Sequence, residues 1–287
     1  MIAHTAYVPQ KDPSSGRTVY IQPDYVAHLL STISRANHTV LSKLQLQLTH
    51  ELPIPVQSNM SLSRFADLGA NDPDIAWPIF NALWAELTIP KTDCKPDQAR
   101  PPILFALDDL AHVMRDSFYR DPDFKLIHAH DLVLVDKYMR LLSGQEQLPN
   151  GGMILAADSA SNRPSVPTLD FALDRSAAAM KARERASRQI EGGEENEDDA
   201  GLPELPSWNP YKAADERVMK VMDTFAAEDI QRIGGMDRVE CRGIMEYYAR
   251  SGMLRQQVND RLVGEKWTIA GGGIVGEVER GTVMMRF

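Results

Sequence analysis

Two short unbroken apolar runs do most to limit what this chain can become: Ile103-Leu104-Phe105-Ala106-Leu107 and Met153-Ile154-Leu155-Ala156-Ala157. A run that does not alternate apolar with polar residues reads as a strand covered on both faces, the habit of parallel strands. Between the runs lies a charged, irregular stretch, Arg115 to Lys125. It is followed by residues 128–142, where Leu132, Val133, Val135, Tyr138, Met139, Leu141 and Leu142 recur at helical spacing. Ser143-Gly144 stops that helix, and Gly151-Gly152 leads into the second run. Strand, crossover helix, strand is one βαβ unit, and hence a piece of parallel sheet. The expected fold class is α/β.

The flanks read mainly as helix. Residues 7–21 are a loop with one extended piece, Thr18–Ile21. Pro23-Asp24 opens a long helix with Val26, Leu29, Leu30, Ile33, Val40, Leu44 and Leu48 on its apolar face, ended by Pro53 and Pro55. Asn71-Asp72-Pro73 starts a second helix, in which Pro78 is expected to kink the chain or mark the first turn. Trp77 and Trp84 read as core or interface anchors, and residues 91–101 as a loop. Composition changes after Phe171. Residues 174–190 are Ala-rich and basic, and 191–200 are glycine and acid, a pattern that favours a solvated insertion with at most a transient helix. Order resumes at Trp208. A helix is expected over 212–224, a short strand over Asp229–Ile233, and a helix capped by Asp237 that carries Val239, Ile244, Met245 and Tyr248 and closes at Ser251-Gly252. The expected organisation is a core over 1–173, a charged insertion over 174–206 and a mainly helical portion over 207–287.

Charge narrows the partners. The 287 residues hold 31 Lys and Arg against 40 Asp and Glu, a formal net charge of -9. A broad phosphate-binding surface needs clustered cations, so any nucleic-acid contact should be local and protein partners are favoured. Cys94 and Cys241, far apart, make neither a disulfide framework nor a metal site. No apolar run is long enough to span a membrane. Met1-Ile2-Ala3-His4 opens neither a signal-type core nor an Arg-rich amphipathic segment. That start fits a cytoplasmic chain, or a fragment whose N-terminus lies upstream.

Leu107-Asp108-Asp109 has the form of a Walker B strand end, where a carboxylate faces the crevice that a nucleotide and Mg²⁺ would occupy. Asp108 is the candidate metal ligand, with Asp109 beside it. Ser159 and Asn162, past the second run, stand where polar sensors of a γ-phosphate would be. Apolar runs ending in Asp are common at strand ends, so Asp108-Asp109 alone is a weak signal, and ordinary loop chemistry is the simpler account of Ser159 and Asn162. The phosphate cradle itself, G-x-x-x-x-G-K-[S/T], is absent. Ser14-Ser15-Gly16-Arg17-Thr18 has no second glycine and no Lys, and no strand precedes it. Gly271-Gly272-Gly273 reads as a turn or close backbone packing. His128 and His130, if helical, point about 200° apart and cannot share a metal. Cys241 has Arg238 and Arg242 nearby, which could lower its pKa, though a buried helix cysteine is the simpler reading.

The order of these elements resembles the death-associated protein 3 family, the P-loop proteins of the mitochondrial small ribosomal subunit. The resemblance rests on Tyr20-Ile21-Gln22-Pro23, Ile103–Asp109, the helix to Leu142, Gly151–Ala157, and Ile244-Met245-Glu246-Tyr247-Tyr248 with Ser251-Gly252. Glu265-Lys266-Trp267 and Gly272–Glu277 give it a fungal character. The resemblance implies a structural, non-enzymatic component of the subunit head in the mitochondrial matrix, with ribosomal proteins and small-subunit rRNA as partners. No membrane and no small-molecule substrate are implied. It implies an AAA-like P-loop core with a helical or winged-helix-like C-terminal portion. It also implies GTP and Mg²⁺ in full-length members, but no cofactor for this chain alone. In that frame the chain begins past the first two strands of the core, without the P-loop strand and presequence, and Ile103–Leu107 should lack a neighbour. Residues 174–190 then also read as an arm that touches rRNA. Two other readings stay open: a divergent P-loop NTPase or switch whose cradle is supplied elsewhere, and an adaptor that works through 174–200.

Overall fold

The computed structural model describes residues 7–12, 16–159, 163–190 and 206–283. Asn162, the acidic run 191–200, Ser14-Ser15 and Met284-Met285 lie outside the described residues. The chain is mixed α/β. Two compact units emerge, residues 1–158 with 164–226, and residues 159–163 with 227–287.

The first unit is built on a helical layer. The helix α1 (Pro23–Ala36) has proline in its first turn and buries Val26 and Leu30. It ends at Asn37, well short of the expected Pro53, and a single turn, α2 (His38–Leu41), follows. Leu44 and Leu46 still reach the core, but from an extended segment in which Gln45 bridges Ser61. Val40, Leu44 and Leu48 recur at helical spacing although the backbone past Leu41 is not helical. The helix α3 (Leu62–Asn71) starts at Ser61, whose hydroxyl accepts from the Arg64 N–H. Asp72 caps α4 (Pro73–Leu87) through the Asp74 N–H, and α4 runs unbroken through Pro78. The three helices meet at Gly69. A Cβ there would lie 2.6 Å from Leu30 Cδ1 and 2.9 Å from Ile79 Cβ. Leu30, Leu62, Phe65, Ile79 and Leu83 are essentially fully buried around this contact, and each contributes about 1.5–3 kcal/mol.

Among the described residues three small sheets decorate that layer, each two-stranded. Strands β1 (Val8–Lys11) and β2 (Thr18–Ile21) form an antiparallel hairpin where mostly loop was expected. Strands β3 (Ile103–Leu107) and β6 (Gly152–Ala156) pair in parallel, Ile103 opposite Gly152 and Leu107 opposite Ala156. Between them come the single turn α5 (Leu110–Val113), the antiparallel pair β4 (Asp116–Arg120) and β5 (Leu126–His128), and the helix α6 (Val133–Leu142). Residues 115–125 are therefore largely a hairpin. The helix expected from 128 begins only at Val133, after a 3-10 turn over Ala129–Asp131.

The two apolar runs are strands, but they are covered on one face only. Phe105 and Ile154 face the helical core, whereas Leu104, Met153 and Leu155 are 67%, 57% and 44% exposed. No described strand besides β6 pairs with β3. The apolar composition thus exceeds what this layer buries. The helix α7 (Pro167–Ile190) runs continuously across the Ala-rich basic segment, and α8 (Glu216–Met222) follows.

The second unit contains α9 (Arg238–Arg250), α10 (Asp260–Ile269) and α11 (Val275–Thr282) around Cys241, Met245, Val263 and Val278. Asp237 and Glu240 form a capping box at the start of α9. No strand occurs among its described residues. The expected strand at Asp229–Ile233 is a 3-10 turn over Ala227–Asp229 followed by irregular chain, with Ile233 exposed. An isolated extended segment beside Gly234-Gly235 has no ladder partner to hold it. Gly271, Gly272 and Gly273 all have positive φ in the turn between α10 and α11. A Cβ on Gly273 would meet Met236 O at 2.2 Å. Trp267 Nε1 donates to that same carbonyl at 2.7 Å.

Candidate functional site

The strand ends of β3 and β6 form the first candidate site. Past each strand the chain is tied to the other: the Ala157 N–H donates to Leu107 O at 2.8 Å, and the Leu110 N–H to Ala157 O at 2.9 Å. Tyr138 on α6 braces the pair from below. Its hydroxyl donates to Leu155 O at 2.6 Å, and burial pushes its pKa up to about 12. The ring meets Phe105 edge-on at 5.1 Å. Asp108 is exposed at the mouth of this arrangement. Asp109 follows in the left-handed conformation, φ 58°, with its N–H donating to Asp108 Oδ1 at 3.0 Å. This is the strand-end position that a Walker B acid takes, and it projects a carboxylate into solvent. Ser159 is half-buried and groups with the second unit.

A nucleotide needs more than this. Gly16-Arg17-Thr18 belongs to the turn and second strand of the β1–β2 hairpin, where the Asp12 N–H donates to Arg17 O and the Gly16 N–H to Asp12 O. That is not a strand-to-helix loop with its N–H groups converging on an anion. The triple glycine joins two helices. No cluster of three or more His, Cys, Asp or Glu able to hold a metal ion occurs among the described residues. The described residues do not by themselves make up a GTP–Mg²⁺ site.

Two polar constructions escaped the sequence reading. The first is a buried ion pair, Glu86 on α4 with Arg100, both fully buried. Arg100 donates to Glu86 Oε2 at 2.5 Å, to Glu86 O at 2.8 Å and to Gln45 O at 2.7 Å. The Glu86 carboxylate also accepts from the Gln47 and Leu48 N–H groups and pairs with His50 Nε2 at 3.0 Å. This hub pins the non-helical segment 44–50 to α4. Its one sequence signal is an arginine pressed against Pro101-Pro102 beside an apolar strand.

The second joins the histidines that the helical reading set apart. Because β5 ends at His128 and a 3-10 turn follows, the His128 and His130 rings meet edge-on at 4.6 Å. His128 Nδ1 accepts the His130 N–H at 3.1 Å, which leaves Nε2 to donate to Asp215 Oδ2 at 3.0 Å. Asp215 in turn caps α8, accepting from the Arg217 and Val218 N–H groups. Arg217 pairs with Asp131 at 2.7 Å. His130 is buried, and its Nε2 has no hydrogen-bond partner. Burial lowers its pKa to about 4, with His128 and Arg217 adding to the fall and Asp215 and Asp131 opposing it. The cluster latches α8 to the β4–β5 region. In the second unit Cys241 is the buried helix cysteine, its thiol pushed up by burial rather than lowered by the nearby arginines.

A cleft of about 250 Å³ between β1, α4 and α6 carries Lys11, Asp12, Asp136, Lys137, Arg140 and Glu146. Arg140 pairs with Asp136 at 2.7 Å and Lys137 with Glu146 at 3.0 Å, so cations and carboxylates neutralise one another.

Comparison with known proteins decides the lineage. The family described as mitochondrial ribosomal death-associated protein 3 matches residues 1–281. The chain belongs to this family. It is 38% identical to the small ribosomal subunit protein mS29 of Neurospora crassa over 98% of its own length and 54% of that protein. The mS29 of Schizosaccharomyces pombe is 21% identical over 85% of the chain and 44% of that protein. The chain thus spans about half the length of these death-associated protein 3 relatives. The family resemblance read from the order of elements is met.

Proposed function

We propose that this chain is a structural, non-catalytic constituent of the mitochondrial small ribosomal subunit. One observation carries the reading: the 38% identity to a protein named for that subunit, extending over 98% of the chain. Subunit proteins and small-subunit rRNA are its partners, in the head, and the matrix is its compartment. The β3–β6 pair with its crossover supports a core of the P-loop NTPase type in partial form. Further strands of such a sheet would lie along the edge of β3 that no described strand pairs, and a further layer over the bare face of Leu104, Met153 and Leu155. With two strand-end carboxylates and no phosphate cradle in the described residues, Asp108 and Asp109 are a degenerate nucleotide site.

Co-sedimentation of the purified chain with salt-washed mitochondrial small subunits tests the assignment. Stoichiometric binding is expected, and a chain that stays in the supernatant sinks it. Titration with a fluorescent guanine nucleotide tests the site. Weak or no binding is expected, while tight Mg²⁺-dependent binding lost in Asp108→Asn favours a divergent P-loop NTPase or switch, the reading the strand-end carboxylates would then support.

A further inference from the structure

The β4–β5 hairpin has two faces of opposite character. On the inner face Tyr119 stacks edge-on with Tyr7 at 5.5 Å and Ile127 is buried. On the outer face Phe118 is 82% exposed, and Phe124 at the turn is 78% exposed, with Leu126 beside them. Isolated apolar residues on a surface need no explanation, but two exposed phenylalanines on one short hairpin are a concentration that calls for one.

The turn is built to hold Phe124 there. The Phe124 N–H donates to Asp121 O and the Asp121 N–H to Lys125 O, both at 2.9 Å. Asp121 Oδ1 accepts from the Asp123 and Lys125 N–H groups, and Arg120 Nη1 donates to Phe124 O at 2.7 Å. Phe124 has φ 63°. Hairpin loops of this kind normally carry glycine at the left-handed position. An L residue there costs about 1–2 kcal/mol, and a bulky one is a conspicuous outlier. The fold alone would be better served by glycine, so the phenyl ring is kept for what it touches.

We propose that the β4–β5 hairpin is a preorganised aromatic anchor, with Phe118 and Phe124 entering an apolar pocket on a protein partner. Charge selects protein over RNA. Arg115, Arg120 and Lys125 are balanced by Asp116, Asp121 and Asp123, so the hairpin offers phosphate no net attraction. Area excludes a second copy as the occupant. Two phenyl groups present roughly 300 Å², well under the roughly 800 Å² per partner of a stable dimer. A patch of that size works as a hot spot inside a larger assembly. The proposal rests on the ribosomal reading, which supplies that assembly.

The test uses the full chain, Phe124→Gly, Phe118→Ser and the double variant, with salt-washed mitochondrial small subunits as the probe. Phe124→Gly should melt at or above the wild-type temperature, because it relieves the backbone. Each single variant should nevertheless bind subunits about tenfold more weakly. With p-benzoylphenylalanine in place of Phe118, irradiation on the subunit should give an adduct to one ribosomal protein. Unchanged binding of the double variant overturns the proposal. So does an adduct to rRNA, an adduct to a second copy, or no adduct at all. Wild-type chain that fails to sediment sinks the ribosomal reading and this proposal together. Wild-type binding with unaffected variants sinks the anchor alone.

Discussion

Acid should loosen the first unit through His130 before it protonates most carboxylates. The ring is buried, Nε2 has no partner, and its pKa is lowered from 6.5 to about 4. Above pH 6.5 the folded and unfolded chains both carry it neutral, and it contributes no pH dependence. Between pH 6.5 and 4 the unfolded chain takes up a proton that the folded chain refuses. Stability therefore falls with pH by about 1.4 kcal/mol per unit, and the loss reaches about 2.5 kcal/mol at pH 4.5. The charged groups facing the ring are His128 and Asp131 of its own segment and Asp215 and Arg217 from α8. His130→Phe keeps the edge-on ring contact and removes the titration. Urea unfolding followed by hydrogen exchange over residues 128–142 should give similar stabilities for the two chains at pH 8. Their difference should widen steadily toward pH 4.5. A constant difference over that range would refute the reasoning.

Other perturbations have equally definite outcomes. Arg100→Met strands the Glu86 carboxylate in the core and should cost about 3–5 kcal/mol, read as a drop in the urea midpoint. Gly273→Ala sets a Cβ 2.2 Å from Met236 O at a positive φ. It should cost the second unit more than about 1–2 kcal/mol, visible as early loss of the Trp267 fluorescence transition. Leu104→Gln with Leu155→Gln, on the bare sheet face, should change stability by less than about 0.5 kcal/mol while raising solubility. A large destabilisation there would mean the face is covered in the isolated chain.

Local signals with one physical meaning were legible in the sequence. Asp72-Pro73 joins a capping carboxylate to a first-turn proline, and α4 starts there. Asp237 marked the start of α9 as well, and Glu240, unread in the sequence, completes its capping box. The parallel pairing of residues 103–107 with 152–156 followed from two apolar runs and a helix between them. Burial on both faces did not, because composition records what a strand tolerates and not what covers it. The far end of α1 was misread because Val40, Leu44 and Leu48 keep helical spacing while the Glu86–Arg100 hub holds the backbone of 44–50 out of the helix. The β4–β5 hairpin was illegible because its turn glycine is a phenylalanine. The carboxylates of the candidate site were found by pattern. The histidine latch depends on Asp215, distant in sequence, and on a ring geometry that a helical reading forbids.

The β3–β6 pairing also sets the timing of folding. Residues 103 and 152 must find each other with the hairpin and α6 already looped out between them. Closing a loop of that length costs about 3 kcal/mol of chain entropy before any ladder bond repays it. The intervening hairpin and helix are short-range and form faster. Folding of this region should therefore wait on that one long-range encounter, and a nascent chain cannot complete the pair until residue 156 has left the ribosome that makes it.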